Sequence, residues 1–255
     1  MKQTLRSFMV IVLLGTASCG TQADTLESLT AGSKPESARS EKIFTKNKEF
    51  IYAVSCYDDQ RQLKATDTIA LTSTGAVWES DSTQTKIGWG SRMANKTAST
   101  EWSGVRENTV GVWIHPPRFD RYVILRVSPF PEVKLPFVKG QEWDWELAVG
   151  EQWANPAWGV WKGDMLVKSH YRAIGEQVVT TPLGRLACQR VAAVSRCSQG
   201  SSTLNLLFHP RYGFVELDYQ TIDSKILKIR LLSAGVESKF DGGEYFGPKH
   251  SGVSN

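Results

Sequence analysis

The chain has 255 residues, of which 41% are hydrophobic, and its formal net charge is +4. Loss of Lys2 and Arg6 with a cleaved leader would lower this charge to +2, and the remaining charges of both signs are scattered. No block of basic residues points to DNA or RNA, so nucleic acid is not an expected partner.

Residues 1–18 have the three parts of an export signal. Lys2 and Arg6 give a positive start, residues 8–14 are all apolar, and small residues follow up to Cys19. Seven apolar residues are too few to span a bilayer, because a membrane-spanning helix needs about 20. We therefore expect a cleaved signal peptide.

The stretch from Thr16 to Cys19 resembles the lipobox of bacterial lipoproteins, in which the signal is cut before a cysteine that then carries acyl chains. Thr16 departs from that pattern, which usually has Leu, so an ordinary cut after Ala23 stays an alternative. Two or more acyl chains on Cys19 would hold the protein at a membrane. Gly20 stands where inner-membrane lipoproteins commonly have aspartate, so the resemblance implies the outer membrane, facing the periplasm.

Three further segments follow the signal. Residues 19–42 are rich in Ser, Thr, Gly and Ala and have no hydrophobic period, so we expect a lipidated flexible tether. Residues 43–238 are predicted to form a single all-β domain, and residues 239–255 a loosely ordered tail.

Short apolar or alternating runs between turn residues predict strands in the first half of the domain. The first predicted strands are residues 50–56, 68–71 and 76–79, the last two joined at residues 73–75, whereas residues 86–98 have no clear assignment. Five of the ten prolines lie between Pro116 and Pro136, around predicted strands at 110–115 and 122–127. Since proline cannot donate to a strand ladder, we expect this region at a sheet edge or in a crossing loop that divides the sheet.

From residue 142 onward the strand pattern becomes regular. Strands are predicted at residues 142–149, 159–170, 172–181, 186–196, 203–209, 213–220 and 225–233. Their tight connections predict an antiparallel meander. Because helices that could cover its apolar face are scarce, we expect the sheet to curl into a full or half barrel.

Three cysteines lie in the body of the chain, and an exported protein meets an oxidising compartment. If residues 188–197 form one strand, Cys188 and Cys197 lie about 30 Å apart, whereas a disulfide needs Cα atoms within about 7 Å. These two should not bond to each other. A bridge from Cys56 to one of them, or three buried free thiols, both stay open.

Three stretches in the second half of the chain carry a resemblance: residues 135–143 (LPFVKGQEW), 181–188 (TPLGRLAC) and 208–217 (FHPRYGFVEL). Together they are similar to a broad set of exported bacterial β proteins, many of them lipoproteins, with no established biochemical role. The resemblance covers about residues 130–233 and implies a long meandering sheet. It implies no chemistry, and the turn residues in these motifs have structural reasons of their own.

The sequence lacks the common local signatures of nucleophilic, metal-dependent and nucleotide-binding enzymes. No Cys-x-x-Cys pair or calcium-loop spacing is present, and His115, His170 and His209 are far apart in sequence. We therefore predict no catalytic residues, no metal site and no cofactor.

Tryptophan is in excess, because five of the nine fall within nineteen residues. Indole rings can stack on sugars, line a lipid pocket or fill a core. The candidate ligand-binding residues are Trp143, Trp145, Trp153, Trp158 and Trp161. The leading hypothesis is a non-catalytic, membrane-tethered envelope lipoprotein that binds a lipid-like ligand, a glycan or a partner protein.

Two other classes of protein stay open. A hydrolase acting on an envelope polymer could use Asp144, Glu146 and His115, provided that two carboxyl groups face each other across a cleft. A structural or assembly subunit could instead pair an exposed sheet edge with a partner.

Overall fold

The computed structural model describes residues 41–91 and 100–236. Cys19, the signal, nearly all of the predicted tether and the predicted tail lie outside these residues, and the domain boundaries stay a prediction. The strands are β1 (Lys48–Tyr57), β2 (Leu63–Trp78), β3 (Asp81–Ser91), β4 (Thr100–Asn108), β5 (Gly111–Ile114), β6 (Glu132–Lys134), β7 (Glu142–Val149), β8 (Met165–Thr181), β9 (Gly184–Cys197), β10 (Gly200–His209), β11 (Gly213–Gln220) and β12 (Ile226–Val236).

All twelve strands belong to one antiparallel sheet, in the order β6-β5-β4-β3-β2-β1-β12-β11-β10-β9-β8-β7. Strands β1 to β6 form one meander and β7 to β12 another, and the pairing of β1 with β12 joins them in the middle of the sheet. The sheet curls into a half barrel whose two edges, β6 and β7, are consecutive in sequence. The predicted all-β, curled meander is therefore confirmed in its half-barrel form.

The apolar faces of β11 and β12 follow the alternation in the sequence. Val215, Leu217 and Tyr219 are buried, as are Leu227 and Ile229 on the neighbouring strand. Residues between them point outward, where Arg230 pairs with Asp218 and Glu216. This alternation is what one buried and one wet face of an antiparallel sheet requires.

The prediction of a strand at residues 122–127 was wrong. These residues lie in a 3₁₀ helix, Asp120–Val127, inside a segment that crosses between β5 and β6. Prolines on both sides of the run, including Pro117 and Pro129, remove donors that a strand would need. The crossing loop was therefore predicted correctly, but it does not divide the sheet.

Two predicted breaks between strands were also wrong. Residues 68–71 and 76–78 lie in the single strand β2, whose pairing with β3 is irregular between Ser73 and Val77, and Glu79 is in the turn that follows. The predicted strands 159–170 and 172–181 are replaced by the single strand β8, which begins only at Met165 and is irregular between Ala173 and Gly175. In both places the residues at a shift in strand register have the sequence pattern of a turn, but the strand continues through them.

The crossing segment, residues 115–131, packs onto the buried face of the sheet. The hydroxyl of Tyr122 donates to Asp67 on β2 at 2.8 Å, and Tyr171 on β8 donates to the carbonyl of Phe130 at 3.0 Å. Ser202 on β10 donates to the carbonyl of Val127 at 3.2 Å. The segment is thereby fixed to both halves of the sheet, and it supplies the core that a curled sheet without covering helices needs.

Cys56, Cys188 and Cys197 are free thiols, and Cys188 and Cys197 lie on the same strand, β9, with Cys197 at its end. The expectation that these two do not bond to each other is confirmed, and Cys56 forms no bridge. Among residues 41–91 and 100–236, no helix has the length and hydropathy needed to cross a membrane.

Candidate functional site

The five candidate tryptophans are all half-buried, and the structure separates them into two groups. Trp143 and Trp145 lie on one face of the edge strand β7, where they pack against the main core. Trp153, Trp158 and Trp161 lie in the connection from β7 to β8 and pack against a smaller apolar cluster.

Trp143 and Trp145 join the two edges of the sheet. The Trp143 ring stacks on Tyr171 with centroids 5.3 Å apart, and its indole N–H donates to Glu132 of β6 at 2.9 Å. The Trp145 ring lies 5.8 Å from Trp113 of β5 and 4.9 Å from Phe130. These contacts give both side chains a packing role along the seam between β6 and β7.

Trp153, Trp158 and Trp161 lie near the end of the half barrel where β7 ends and β8 begins. The Trp158 and Trp161 rings are 5.7 Å apart, and Trp161 donates to the carbonyl of Val149 at 3.0 Å. Beneath them lie buried Val127, Val149, Met165 and Val167. Each indole therefore has one side fixed by the cluster and another accessible to solvent.

Two arginines of the crossing segment face Trp153. Arg118 precedes the 3₁₀ helix and Arg126 is in its last turn. Their guanidinium carbons lie 5.7 and 4.7 Å from the centroid of the same Trp153 ring. Cations over an indole face are attracted by its quadrupole, so this ring orients both guanidinium groups.

The two arginines differ in their charge compensation. The Arg118 side chain is only 6% exposed and forms an ion pair with Glu101 of β4, which also accepts the Arg118 backbone N–H at 2.7 Å. Arg126 is half-buried, and no carboxylate of the described residues lies within ion-pair distance of it. The cluster therefore holds two cations and one nearby anion.

His115 lies beside this pair in an aromatic surrounding. Its ring centroid is 4.6 Å from that of Trp113 and 5.3 Å from that of Trp78. Burial, with the positive charges of Arg118 and Arg126, lowers the pKa of His115 to about 2, so the imidazole is neutral at physiological pH. Burial also lowers the pKa of Arg126 to about 10, which leaves it protonated at that pH.

Several polar atoms at this place are buried without a hydrogen-bond partner. They include Nε of Arg118, Nε of Arg126 and Nδ1 of His115. Buried polar groups are nearly always paired in proteins, because an unpaired one costs free energy. We refer to Arg118, Arg126, His115, Glu101 and Trp153 as the arginine cluster.

Sequence reasoning singled out Trp153 and His115 but not the arginines. One signal was available: Arg126 interrupts an otherwise apolar run at residues 122–127. A charge inside such a run is unusual, since arginine is almost never fully buried unless it is paired. Its neighbours could not be predicted, because Glu101 and Trp153 come from distant strands and loops.

The residues considered for a hydrolase do not come together. Asp144 and Glu146 are exposed on β7 and contact side chains of β8, where Asp144 bonds to His170 at 2.9 Å and Glu146 pairs with Lys168 at 3.3 Å. His115 is buried in the arginine cluster. Within residues 41–91 and 100–236, no group of three or more His, Cys, Asp or Glu side chains is placed to hold a metal ion.

No protein-family model matches the sequence, and no curated protein matches it. Solved structures that are similar to it include the following three. A Bacteroides fragilis protein, described as exported and as having a YmcC-like fold, has 10% identity and a TM-score of 0.45, and the match covers 75% of this chain and 96% of that one. A Parabacteroides distasonis protein described as a lipoprotein has 9% identity and a TM-score of 0.47, with 75% and 96% covered.

The third structure is the hypothetical lipoprotein YmcC from Escherichia coli, with 8% identity, a TM-score of 0.36 and coverage of 76% of this chain and 90% of that one. All three descriptions name exported proteins or lipoproteins.

Proposed function

We propose that this protein is a membrane-tethered lipoprotein of the cell envelope that binds a lipid-like or glycan ligand. The acyl chains on Cys19 provide the anchor, at the outer membrane and facing the periplasm. The ligand lies on Trp153, Trp158 and Trp161. The observation that carries the binding role is the placement of these three half-buried indoles around one end of the half barrel, beside Arg126, which forms no ion pair with the carboxylates of residues 41–91 and 100–236.

The anchoring half rests on the leader and on Cys19. A positive start, an apolar stretch and small residues before a cysteine are what export and acylation need. Two or more acyl chains hold a protein at a bilayer, since each buried methylene contributes about 0.8 kcal/mol.

The binding half rests on the exposed sides of the indoles. Partial exposure alone does not mark a ligand site, since Trp143 and Trp145 are also half-buried and pack along the seam. Trp153, Trp158 and Trp161 differ in that they lie together in one connection over a small apolar cluster, and half-exposed indoles in such a group suit stacking on a sugar or contact with an acyl chain. Arg126 adds a polar group that fixes orientation, as ligand sites commonly have.

The test is native mass spectrometry of the protein purified in mild detergent from its own envelope. We expect an acylated amino terminus at Cys19 and a bound lipid or glycan. The double variant Trp158→Ala/Trp161→Ala should lose the bound compound, whereas Trp102→Ala on β4 should keep it. Recovery of wild-type protein without any bound compound would contradict the binding role.

The anchor is tested separately with Cys19→Ser. This variant cannot be acylated, so the protein should leave the membrane pellet and appear in the soluble envelope fraction. If Cys19→Ser stays in the pellet and the wild-type amino terminus begins at Met1, the anchoring half is wrong.

An assembly subunit is the second candidate, because β7 is an edge strand of eight residues. Edge strands can accept a strand from a partner. However, Trp143 and Trp145 bring this edge against β6 and the crossing segment. We therefore rank ligand binding above strand addition.

A further inference from the structure

The arginine cluster has features that packing alone does not explain. The negative charge of Glu101 balances the positive charge of Arg118. Arg126 adds a second positive charge, so the cluster has a net charge of +1. The other charged side chain whose field reaches His115 is Asp81, which is engaged with Thr83 and Gln84. The charge of Glu101 also reaches Arg126, but one carboxylate cannot balance two guanidinium groups. An incompletely balanced half-buried cation is unfavourable, and a purely structural position would be occupied more stably by an apolar residue.

The two guanidinium groups of the cluster have the chemistry that an oxyanion needs. Guanidinium groups form paired, planar hydrogen bonds to carboxylate and phosphate oxygens. Trp153 contacts both guanidinium groups and thereby limits their rotation. The Nε atoms of Arg118 and Arg126 are buried and have no hydrogen-bond partner, and the Arg118 side chain as a whole is nine-tenths buried.

The exposure of the side chains gives the site a direction. Arg118 and His115 are buried, whereas Arg126 and Trp153 are half-buried. A charged group can therefore enter past Trp153 and meet Arg126 first. The apolar or sugar part of the same molecule would then extend over Trp158 and Trp161.

We propose that Arg126, supported by Arg118 and Trp153, is the recognition site for a singly charged oxyanion, a carboxylate or a phosphodiester, carried by the ligand. This inference rests on the proposed function and names the chemical class of its ligand. One net positive charge matches one negative charge, so a phosphodiester lipid headgroup and an acidic sugar both fit. Neutral ligands leave the cation uncompensated.

The test measures binding by titration calorimetry to full-length protein purified from its envelope and stripped of bound compounds. The lipid probe is dihexanoyl phosphatidylglycerol with dihexanoylglycerol as its neutral counterpart, and the sugar probe is a glucuronic acid disaccharide with a glucose disaccharide as its counterpart. We expect one anionic probe to bind about tenfold or more tightly than its counterpart, as a charged hydrogen bond predicts. Which probe binds distinguishes a lipid from a glycan source.

Arg126→Gln should abolish that preference, and Arg121→Gln, an exposed arginine on the same 3₁₀ helix, should preserve it. The ligand-free Arg126→Gln protein should melt at the wild-type temperature or above, because the variant removes an uncompensated charge. A lower Tm would assign Arg126 a structural role and overturn the inference.

Equal affinity for an anionic probe and its neutral counterpart would also overturn the inference while leaving the proposed binding function in place. If no probe binds and no compound copurifies with the wild-type protein, both this inference and the proposed binding function are wrong.

Discussion

Trp143 on β7 donates its indole N–H to the buried carboxylate of Glu132 on β6, with the two atoms 2.9 Å apart. These strands are the two edges of the sheet and share no backbone ladder. Glu132 also pairs with Lys134 at 2.6 Å, so its charge is held by two partners. The side chains along this seam thus replace the hydrogen bonds that a closed sheet would have.

Trp143→Phe should therefore destabilise the protein. The variant keeps most of the stacking on Tyr171 but leaves one oxygen of a buried carboxylate without its donor. Loss of a hydrogen bond to a charged group predicts a decrease of about 1 to 3 kcal/mol in the free energy of unfolding. Urea denaturation followed by circular dichroism measures it.

The matched control is Trp158→Phe, in a tryptophan that is also half-buried and has a ring partner, Trp161. Trp158→Phe should lower the free energy of unfolding by less than Trp143→Phe does. Equal losses in the two variants would show that the bond to Glu132 contributes little.

A second prediction compares two buried tyrosines. Tyr171 donates its hydroxyl to the carbonyl of Phe130 at 3.0 Å, whereas the hydroxyl of Tyr219 is buried without a partner. Tyr171→Phe should lower the free energy of unfolding by about 1 kcal/mol, and Tyr219→Phe should leave it unchanged or raise it. Thermal melts of both variants measure this difference in stability. A larger loss of stability in Tyr219→Phe than in Tyr171→Phe would contradict the prediction.

The third prediction concerns pH. The pKa of His115 is near 6.5 in the unfolded chain, whereas burial and the charges of Arg118 and Arg126 lower the pKa to about 2 in the folded protein. The unfolded chain therefore binds more protons between these values, and the free energy of unfolding falls as the pH is lowered. The slope should reach at most about 1.4 kcal/mol per pH unit for one proton.

The measurement is urea denaturation at pH 7, 6 and 5 for the wild type and His115→Gln. Removing the buried His115 should flatten the decrease between pH 6.5 and 5. A pH dependence that His115→Gln leaves unchanged would contradict this role.

The second half of the fold could be predicted because its sequence alternates. Val215, Leu217 and Tyr219 alternate with polar residues over a strand, and short turn motifs mark its ends, so local pattern and tertiary structure agree. Strands β7 and β11 begin and end at the predicted residues.

The crossing segment could not be predicted from the same local signals. The run at 122–127 is apolar and β-branched like a strand, but its position against the sheet decides its conformation. The arginine cluster depends on that position in turn, since Arg126 of the crossing segment contacts Trp153 of the connection from β7 to β8. The tryptophan excess was visible in the sequence, but its division into a seam group and an exposed group was not.

The last prediction concerns the thiols. Cys188 is buried on β9, and burial raises its pKa to about 11, so very little thiolate exists at pH 8. The thiolate is the form that iodoacetamide attacks, and native Cys188 should react on the order of 100-fold more slowly than a thiol with an ordinary pKa near 8.5.

Peptide mass spectrometry after timed labelling gives the rate at each cysteine. Cys56 and Cys197, which are half-buried, should be modified before Cys188. Denatured protein that has not been reduced should label at all three positions, because the structure leaves each as a free thiol. Two unlabelled cysteines under those conditions would mean that export has produced a disulfide, which would require β1 and the strand of its partner to shift from the positions found here.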